Sequence, residues 1–240
     1  MKLYSTYSKA GMDMQGRDAL SRTLSACLEV ENIQYVVETG TYLGLGSTKT
    51  IAEAFSAPPA EFVTIEANWT SWGAARKNLT RFPFVTPLWG NSVAREEALA
   101  FINEDPAIIH HSAYPDIWID DINNPQKFYS DEVRGKLGGF GFAELVAKYL
   151  HYSGEDLLRK YLSKFKELRP LIVLDSAGGT GYLEFKITQE VMGNNPYILL
   201  LDDIHHLKHF RSLRDMKEDK RYLLLSENME DGWVLAKHQP

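Results

Sequence analysis

The feature that most constrains the fold is a glycine-rich run after a short apolar segment. Residues 35–47 read YVVETGTYLGLGS: the apolar run ends at Glu38, three glycines follow, and a helical pattern begins at Ser47. This order predicts a β-strand, a tight loop and a helix N-terminus. Glycines let the backbone approach a ligand, and the free N–H groups of the helix face it. With the Glu38 carboxylate beside it, the loop suits a nucleoside that carries a cationic amino-acid end.

Two better-known glycine motifs do not fit this run. A dinucleotide-binding loop has the pattern G-x-G-x-x-G, whereas the glycines here are Gly40, Gly44 and Gly46. A P-loop has a lysine directly after its second glycine, whereas Ser47 and Thr48 follow Gly46. The spacing therefore disfavours an NAD(P)-dependent oxidoreductase and argues against a P-loop.

The remaining pattern, E-x-G-x-x-x-G-x-G-S, resembles the first motif of class I S-adenosylmethionine (SAM)-dependent methyltransferases. The resemblance implies an α/β fold with a Rossmann-like methyltransferase sheet, mostly parallel, of seven strands, with an antiparallel C-terminal hairpin strand and flanking helices. It also implies SAM as the cofactor, bound in this motif by Glu38, Gly40, Thr41, Gly44, Gly46 and Ser47. The alternative is an α/β protein that uses these glycines only to turn the chain.

Two further strands extend the pattern. Residues 62–66 form a second short strand that ends at Glu66, and one helix separates it from the first, which predicts a parallel βαβ unit. Glu66 then lies where nucleoside-binding α/β folds hold the ribose hydroxyls. A third strand is predicted at 84–88, followed by Asn91 and Ser92. Methyltransferases often have Gly-Asp and a small residue there, near the adenine; Asn91 departs from this but keeps an amide that can bind a base edge.

The regular alternation of strands and helices breaks between residues 104 and 170. This segment holds Pro106, Pro115 and Pro125, a glycine-rich turn at 138–141 and helical stretches near 141–151 and 155–168, where one helix would suffice. We therefore treat 1–240 as a single methyltransferase domain with 104–170 as an insertion. Its aromatic residues argue against disorder, which leaves a lid, a substrate wall or a dimerisation element. Asp120 and Asp121 are expected to be solvated or to cap a turn.

Three acids follow two neighbouring strands in the second half of the chain. A fourth strand at 171–174 ends at Asp175, and a fifth at 197–201 ends at Asp202 and Asp203. Open α/β sheets bind ligands at this edge. Converging carboxylates repel unless a cation neutralises them, and hard oxygen donors suit Mg²⁺, Mn²⁺ or Ca²⁺. The structural alternative is that Asp203 caps a helix and Asp202 bonds to the backbone.

These acids resemble the metal site of divalent-metal-dependent O-methyltransferases. The sugar O-methyltransferases of macrolide and aminocoumarin biosynthesis are the nearer match, and the catechol O-methyltransferases are more distant. The resemblance covers about residues 32–100 and 171–237. It implies that Asp175, Asp202 and Asp203 bind the metal, that the metal holds the hydroxyl pair of the acceptor beside the methyl group, and that Asp175 also belongs to the cofactor site.

Methyl transfer to a hydroxyl needs a group that removes the hydroxyl proton. The metal-dependent relatives have a base two or three residues after the acid of the fourth strand, whereas this chain has Ala177 and Gly178 there. Histidine has an unperturbed pKa suited to the role. The nearest catalytic candidates follow the acids of the fifth strand and are His205, His206 and Lys208.

Composition narrows the class of protein. The net charge of −6 disfavours a nucleic-acid partner. Cys27 is the only cysteine, which excludes an intrachain disulfide and fits a reducing compartment. No apolar run approaches the length of a membrane span. We therefore expect a cytoplasmic protein with a small-molecule partner and no membrane partner, and leave a homo-oligomer open.

The sequence hypothesis is the transfer of a methyl group from SAM to a hydroxyl of a small-molecule acceptor, assisted by a divalent metal. Two alternatives remain beside it. One is a metal-free methyltransferase that acts on another acceptor. The other is a SAM-binding protein that has lost catalysis, which the residues at Ala177 and Gly178 favour.

Overall fold

The computed structural model describes residues 18–135 and 142–240, so the glycine turn predicted at 138–141 lies outside the described residues. The strands are β1 (Tyr35–Thr39), β2 (Glu61–Glu66), β3 (Val85–Gly90), β4 (Tyr152–Gly154), β5 (Leu171–Leu174), β6 (Tyr197–Leu201), β7 (Tyr222–Asn228) and β8 (Trp233–His238). The helices are α1 (Asp18–Val30), α2 (Ser47–Ala54), α3 (Trp69–Asn78), α4 (Arg95–Glu104), α5 (Pro106–Ile109), α6 (Pro125–Val133), α7 (Phe142–His151), α8 (Leu157–Phe165), α9 (Gly181–Met192) and α10 (Phe210–Glu218), with a 3-10 turn at His111–Ala113.

The strands form one sheet in the order β4-β3-β2-β1-β5-β6-β8-β7. Strands β1 to β6 pair in parallel, whereas β8 is antiparallel to both β6 and β7. The chain runs outward from β1 in one direction and then resumes at β5 on its other side. The carboxyl ends of β1 and β5 therefore meet at the point where the strand order reverses, which is where open α/β sheets bind ligands.

The central strands are apolar on both faces because helices cover both sides of the sheet. Val36 and Leu171 face a core cluster with α1, α2 and α3, whereas the next residues, Val37 and Ile172, face a second cluster with α8, α9 and α10. Alternate side chains of a strand point to opposite faces, so each central strand contributes to both clusters. This double burial explains why β5 (LIVL) and β6 (YILLL) are continuous apolar runs.

The described part of the segment 104–170 supplies one strand of the sheet and one helix of its core. Helix α8 packs into the second cluster through Leu158 and Phe165. Strand β4 pairs with β3, with Tyr152 opposite Trp89. A third apolar cluster joins residues 107–129 of the segment to Leu207, which follows β6; it contains Ile102, Ala107, Ile108, Ile119, Tyr129 and Leu207.

The predicted fold class is confirmed: a mostly parallel sheet with an antiparallel C-terminal hairpin is flanked by helices. The difference is an eighth strand, β4, which has three residues directly after a helix and so leaves no alternation in the sequence. Strand β3 also runs two residues beyond its predicted end at 88. Within the part of the chain that the structure describes, no helix is long and apolar enough to cross a membrane.

Candidate active site

A cavity of about 610 Å³ opens at the carboxyl ends of the parallel strands. Its size is within the range of small-molecule sites. The turns after β1, β2, β3, β5 and β6 line one side, and residues of the segment 104–170 line the other. The sheet thus supplies the floor that the sequence predicted, and the segment supplies a wall.

The loop after β1 reaches this cavity at its first turn. Gly40 has φ +85°, and a Cβ atom there would lie 2.0 Å from the carbonyl oxygen of Asp175. Only glycine fits this approach, because that distance is far below van der Waals contact. Gly40 and Tyr42 line the cavity, so the first motif presents mainly backbone to a ligand.

The other residues of the first motif lie behind the loop and do not line the cavity. Glu38 is fully buried, and its Oε2 accepts a hydrogen bond of 2.7 Å from Thr48 Oγ1. Burial raises the pKa of Glu38 to about 7. Thr41 bonds to Thr64. The remaining members, Gly44, Gly46 and Ser47, form the turn into α2.

Glu66 lines the cavity at the end of β2. Its two oxygens accept hydrogen bonds from the backbone N–H groups of Tyr42 and Asn68, each 2.7 Å long. Burial raises the pKa of Glu66 to about 7, although these N–H groups favour the carboxylate. The side chain is therefore fixed beside the loop after β1, with further lone pairs available to a ligand.

Asn91 and Ser92 line the cavity after β3. Asn91 Nδ2 is buried and has no hydrogen-bond partner among the described residues, so a donor is available to a ligand there. Ser92 donates to the buried Glu184, which also accepts from Thr39 Oγ1 at 2.8 Å. Glu184 is not predictable as a site residue from the sequence, because an acid in the first turn of a helix is usually a solvated partner of the helix dipole.

Aromatic side chains form the wall of the cavity next to Asn91. The rings of Trp69 and Trp89 lie 6.3 Å apart, and Tyr152 packs edge-on against Trp89 at 5.4 Å. All three line the cavity. Such a wall suits a planar aromatic ring, because offset and edge-on contacts between π-systems are favourable.

The three predicted acids do come together at the ends of β5 and β6. One carboxylate oxygen from each of Asp175, Asp202 and Asp203 lies within 4.8 Å of the others. The ammonium of Lys208 lies among them, 3.0 Å from Asp175 Oδ1 and 2.9 Å from Asp203 Oδ2. Lys208, predicted from the sequence as a catalytic candidate, instead forms ion pairs with two of these acids.

In this cluster, burial and the neighbouring charges shift the pKa values of Lys208 and Asp175 in opposite directions. Burial acts to lower the pKa of Lys208, but the carboxylates of Asp203, Asp175 and Asp202 raise it above its usual range. Burial also raises the pKa of Asp175, against the effect of Lys208. The cluster therefore holds a protonated lysine.

His206 lies beside the carboxylate of Asp120. Its Nε2 lies 3.2 Å from Asp120 Oδ2, and its Nδ1 accepts the backbone N–H of Lys208 at 3.1 Å. An accepting Nδ1 leaves the ring proton on Nε2, which lies near Asp120 without a hydrogen bond of good geometry to any described residue. Burial raises the pKa of Asp120, but the bond to His206, with Tyr129 and Lys208, lowers it below the usual value. Asp120 lines the cavity as a carboxylate and is still exposed to solvent, as expected for it.

Gly178 explains how Asp120 reaches this position. A Cβ atom there would lie 2.5 Å from both Asp120 Oδ2 and His206 Cε1, and 2.8 Å from a ring carbon of Tyr129. The carboxylate of Asp120 therefore fills the space that a side chain at position 178 would take. No sequence spacing links Asp120 to this position, because the two residues lie on elements that only the fold brings together.

The remaining candidates separate into those near the cavity and those away from it. His205 does not line it, and its Nε2 bonds to the carbonyl of Met229 at 2.6 Å. Asp121 caps the turn before α6, as expected, by accepting N–H groups of Asn123 and Asn124. Glu132 of α6 does line the cavity, and burial raises its pKa to about 7.

Solved structures share this fold, although no protein-family model and no curated protein matches the chain. The O-methyltransferase TomG from Streptomyces achromogenes, involved in tomaymycin synthesis and solved in complex with SAM, is similar with a TM-score of 0.50 and 13% identity; 97% of this chain and 89% of that chain are covered. An O-methyltransferase from Bacillus cereus in complex with SAH is similar with a TM-score of 0.49 and 12% identity; 99% of this chain and 88% of that chain are covered. At such identities the likeness to TomG shows a common fold.

Proposed function

We propose that this protein transfers a methyl group from SAM to a hydroxyl of a small-molecule acceptor. The observation that carries the proposal is the loop after β1, where only glycine fits at position 40 and where the cavity has the fixed carboxylate of Glu66 beside it. The fold shared with TomG, a protein solved with SAM, supports the same cofactor here.

The residues around the cavity fit the parts of SAM. Glu66 offers acceptors for the ribose hydroxyls, and the unpartnered Nδ2 of Asn91 offers a donor to the edge of the base. Trp69 and Trp89 supply an aromatic wall beside it. SAM supplies a methyl group on a sulfonium, an electrophile that needs a positioned nucleophile and little else.

Asp120 is the residue we assign to the hydroxyl proton. Its carboxylate lines the cavity, lies 3.2 Å from Nε2 of His206, and occupies the space of the absent side chain at Gly178. The one acceptor nitrogen of the neutral His206 ring, Nδ1, already accepts the backbone N–H of Lys208, so His206 packs beside Asp120 instead of taking the proton itself. Glu132 is the second carboxylate on this wall, and the segment 104–170 thereby acts as a wall for the acceptor.

The divalent metal expected from the sequence fits in one respect only. The three carboxylates are oxygen donors of the kind that Mg²⁺ binds. The ammonium of Lys208, however, lies between two of them. The oxygen donors suit a metal, but the ammonium of Lys208 occupies the space between them. The proposed reaction therefore uses no metal.

Two measurements test the proposal. Calorimetry should detect binding of SAM and SAH and no comparable binding of NAD⁺. Transfer of a labelled methyl group from SAM to a panel of hydroxylated small molecules should then give a labelled ether that acid and base do not hydrolyse. Binding without transfer to any acceptor would favour the protein that has lost catalysis, and binding of NAD⁺ alone would reject the proposal.

A further inference from the structure

We infer that Lys208 is the resident cation of the three-carboxylate cluster and that this site works without a divalent metal. The ammonium Nζ contacts Asp175 Oδ1 at 3.0 Å, Asp203 Oδ2 at 2.9 Å and the carbonyl oxygen of Ser176 at 3.1 Å. An ammonium has three N–H donors, so the protein satisfies all of them. The lysine is 5% exposed and forms part of the packed interior.

The base of the Lys208 side chain is also closely packed. A Cβ atom at Gly181, the first residue of α9, would lie 2.6 Å from Lys208 Cβ. The neighbouring backbone is fixed too, because the N–H of Leu207 bonds to the carbonyl of Trp118 at 3.0 Å. The base of the side chain is therefore fixed where its ammonium reaches the carboxylates.

A dication in this cluster would have to share its ligands with the ammonium. Metal–oxygen bonds near 2.0–2.1 Å would draw the carboxylates of Asp175 and Asp203 away from Nζ. They would also leave Lys208 buried, charged and without its partners, which is unfavourable. The ammonium of Lys208 is therefore the more stable counter-charge for these carboxylates.

This lysine is a positioning residue, since its three protons face protein atoms. It neutralises the acids at the ends of β5 and β6, and the backbone of one of them, Asp175, lies against the loop after β1 that bears Gly40. The catalytic consequence rests on the proposed function: methyl transfer should proceed unchanged in EDTA. The binding consequence does not depend on that function.

The test is a titration with Mn²⁺, followed by electron paramagnetic resonance, on the wild-type chain and on Lys208→Met. The wild type should show no Mn²⁺ site that depends on Asp202. Lys208→Met keeps an unbranched side chain one atom shorter and removes its charge, so it should gain a Mn²⁺ site that the double variant with Asp202→Asn loses again. Lys220→Met, at an exposed lysine, should behave as the wild type.

A wild-type Mn²⁺ site that Asp202→Asn abolishes would overturn the inference. If Lys208→Met does not fold, the comparison of the wild type with Asp202→Asn decides alone. A folded Lys208→Met that gains no site also counts against it, because removing the ammonium should then have freed the donors. Failure to bind SAM would reject the proposed function and leave this titration interpretable.

Discussion

Glu66 links burial directly to ligand binding. Its pKa is raised to about 7, and only the carboxylate can accept from two ribose hydroxyls while it accepts from Tyr42 and Asn68. We therefore expect the affinity for SAH to be highest above pH 7 and to fall as the pH drops through about 7. Glu66→Gln should weaken binding by about 1–3 kcal/mol and flatten this pH dependence, as measured by calorimetry. Glu61→Gln, at the other end of β2, is the matched control.

The stability of the unliganded protein depends on pH in the opposite direction to the affinity for SAH. A raised pKa means that folding favours the protonated carboxyl of Glu66, so its contribution is fully present below pH 4.5 and is lost as the pH rises to about 7. Affinity that stays constant across this range in the wild type would remove Glu66 from the SAM site.

Asp120 and Glu132 make different predictions for the transfer reaction. If Asp120 takes the proton, Asp120→Asn should lower kcat by about 10²–10⁴-fold, whereas Glu132→Gln should have a small effect. The pKa of Asp120 is lowered, so kcat of the wild type should not fall near pH 7 on the acidic side. A decline centred near pH 7 that disappears in Glu132→Gln would transfer the role to Glu132.

At the scale of elements, the loop between β5 and α9 is fitted against the wall that α6 and Asp120 form. Gly178→Ala should destabilise the protein by about 1–3 kcal/mol, because its Cβ meets the buried rings of His206 and Tyr129. It should also displace Asp120 and lower transfer activity. Thermal and denaturant unfolding with the activity assay measure both effects.

Gly73→Ala is the control for that substitution. Gly73 lies inside α3, and a Cβ there would meet nothing within 4 Å. Alanine favours a helix interior over glycine, so this variant should gain up to about 1 kcal/mol. A Gly178→Ala variant as stable and active as the wild type would contradict the packing of Asp120 against this loop.

For the whole molecule, the sequence predicts the buried strands, whereas it does not predict contacts between side chains that lie far apart in the chain. Strands β1, β2, β5 and β6 are predictable because buried parallel strands are short apolar runs, and their terminal acids mark the edge that binds ligands. Strand β4 has no such run. The pairing of Lys208 with Asp175 and of His206 with Asp120 follows from tertiary packing, which no spacing in the sequence encodes.

The position of β8 has a consequence for how the chain is made. Strand β8 follows β7 in sequence but lies between β6 and β7 in the sheet. On a ribosome, β7 has no partner until β8 emerges, and the apolar edge of β6 stays open meanwhile. At roughly 5–20 residues per second this interval is about one to three seconds. During it the nascent chain is most exposed to aggregation, and β6 is the strand that a chaperone would have to shield.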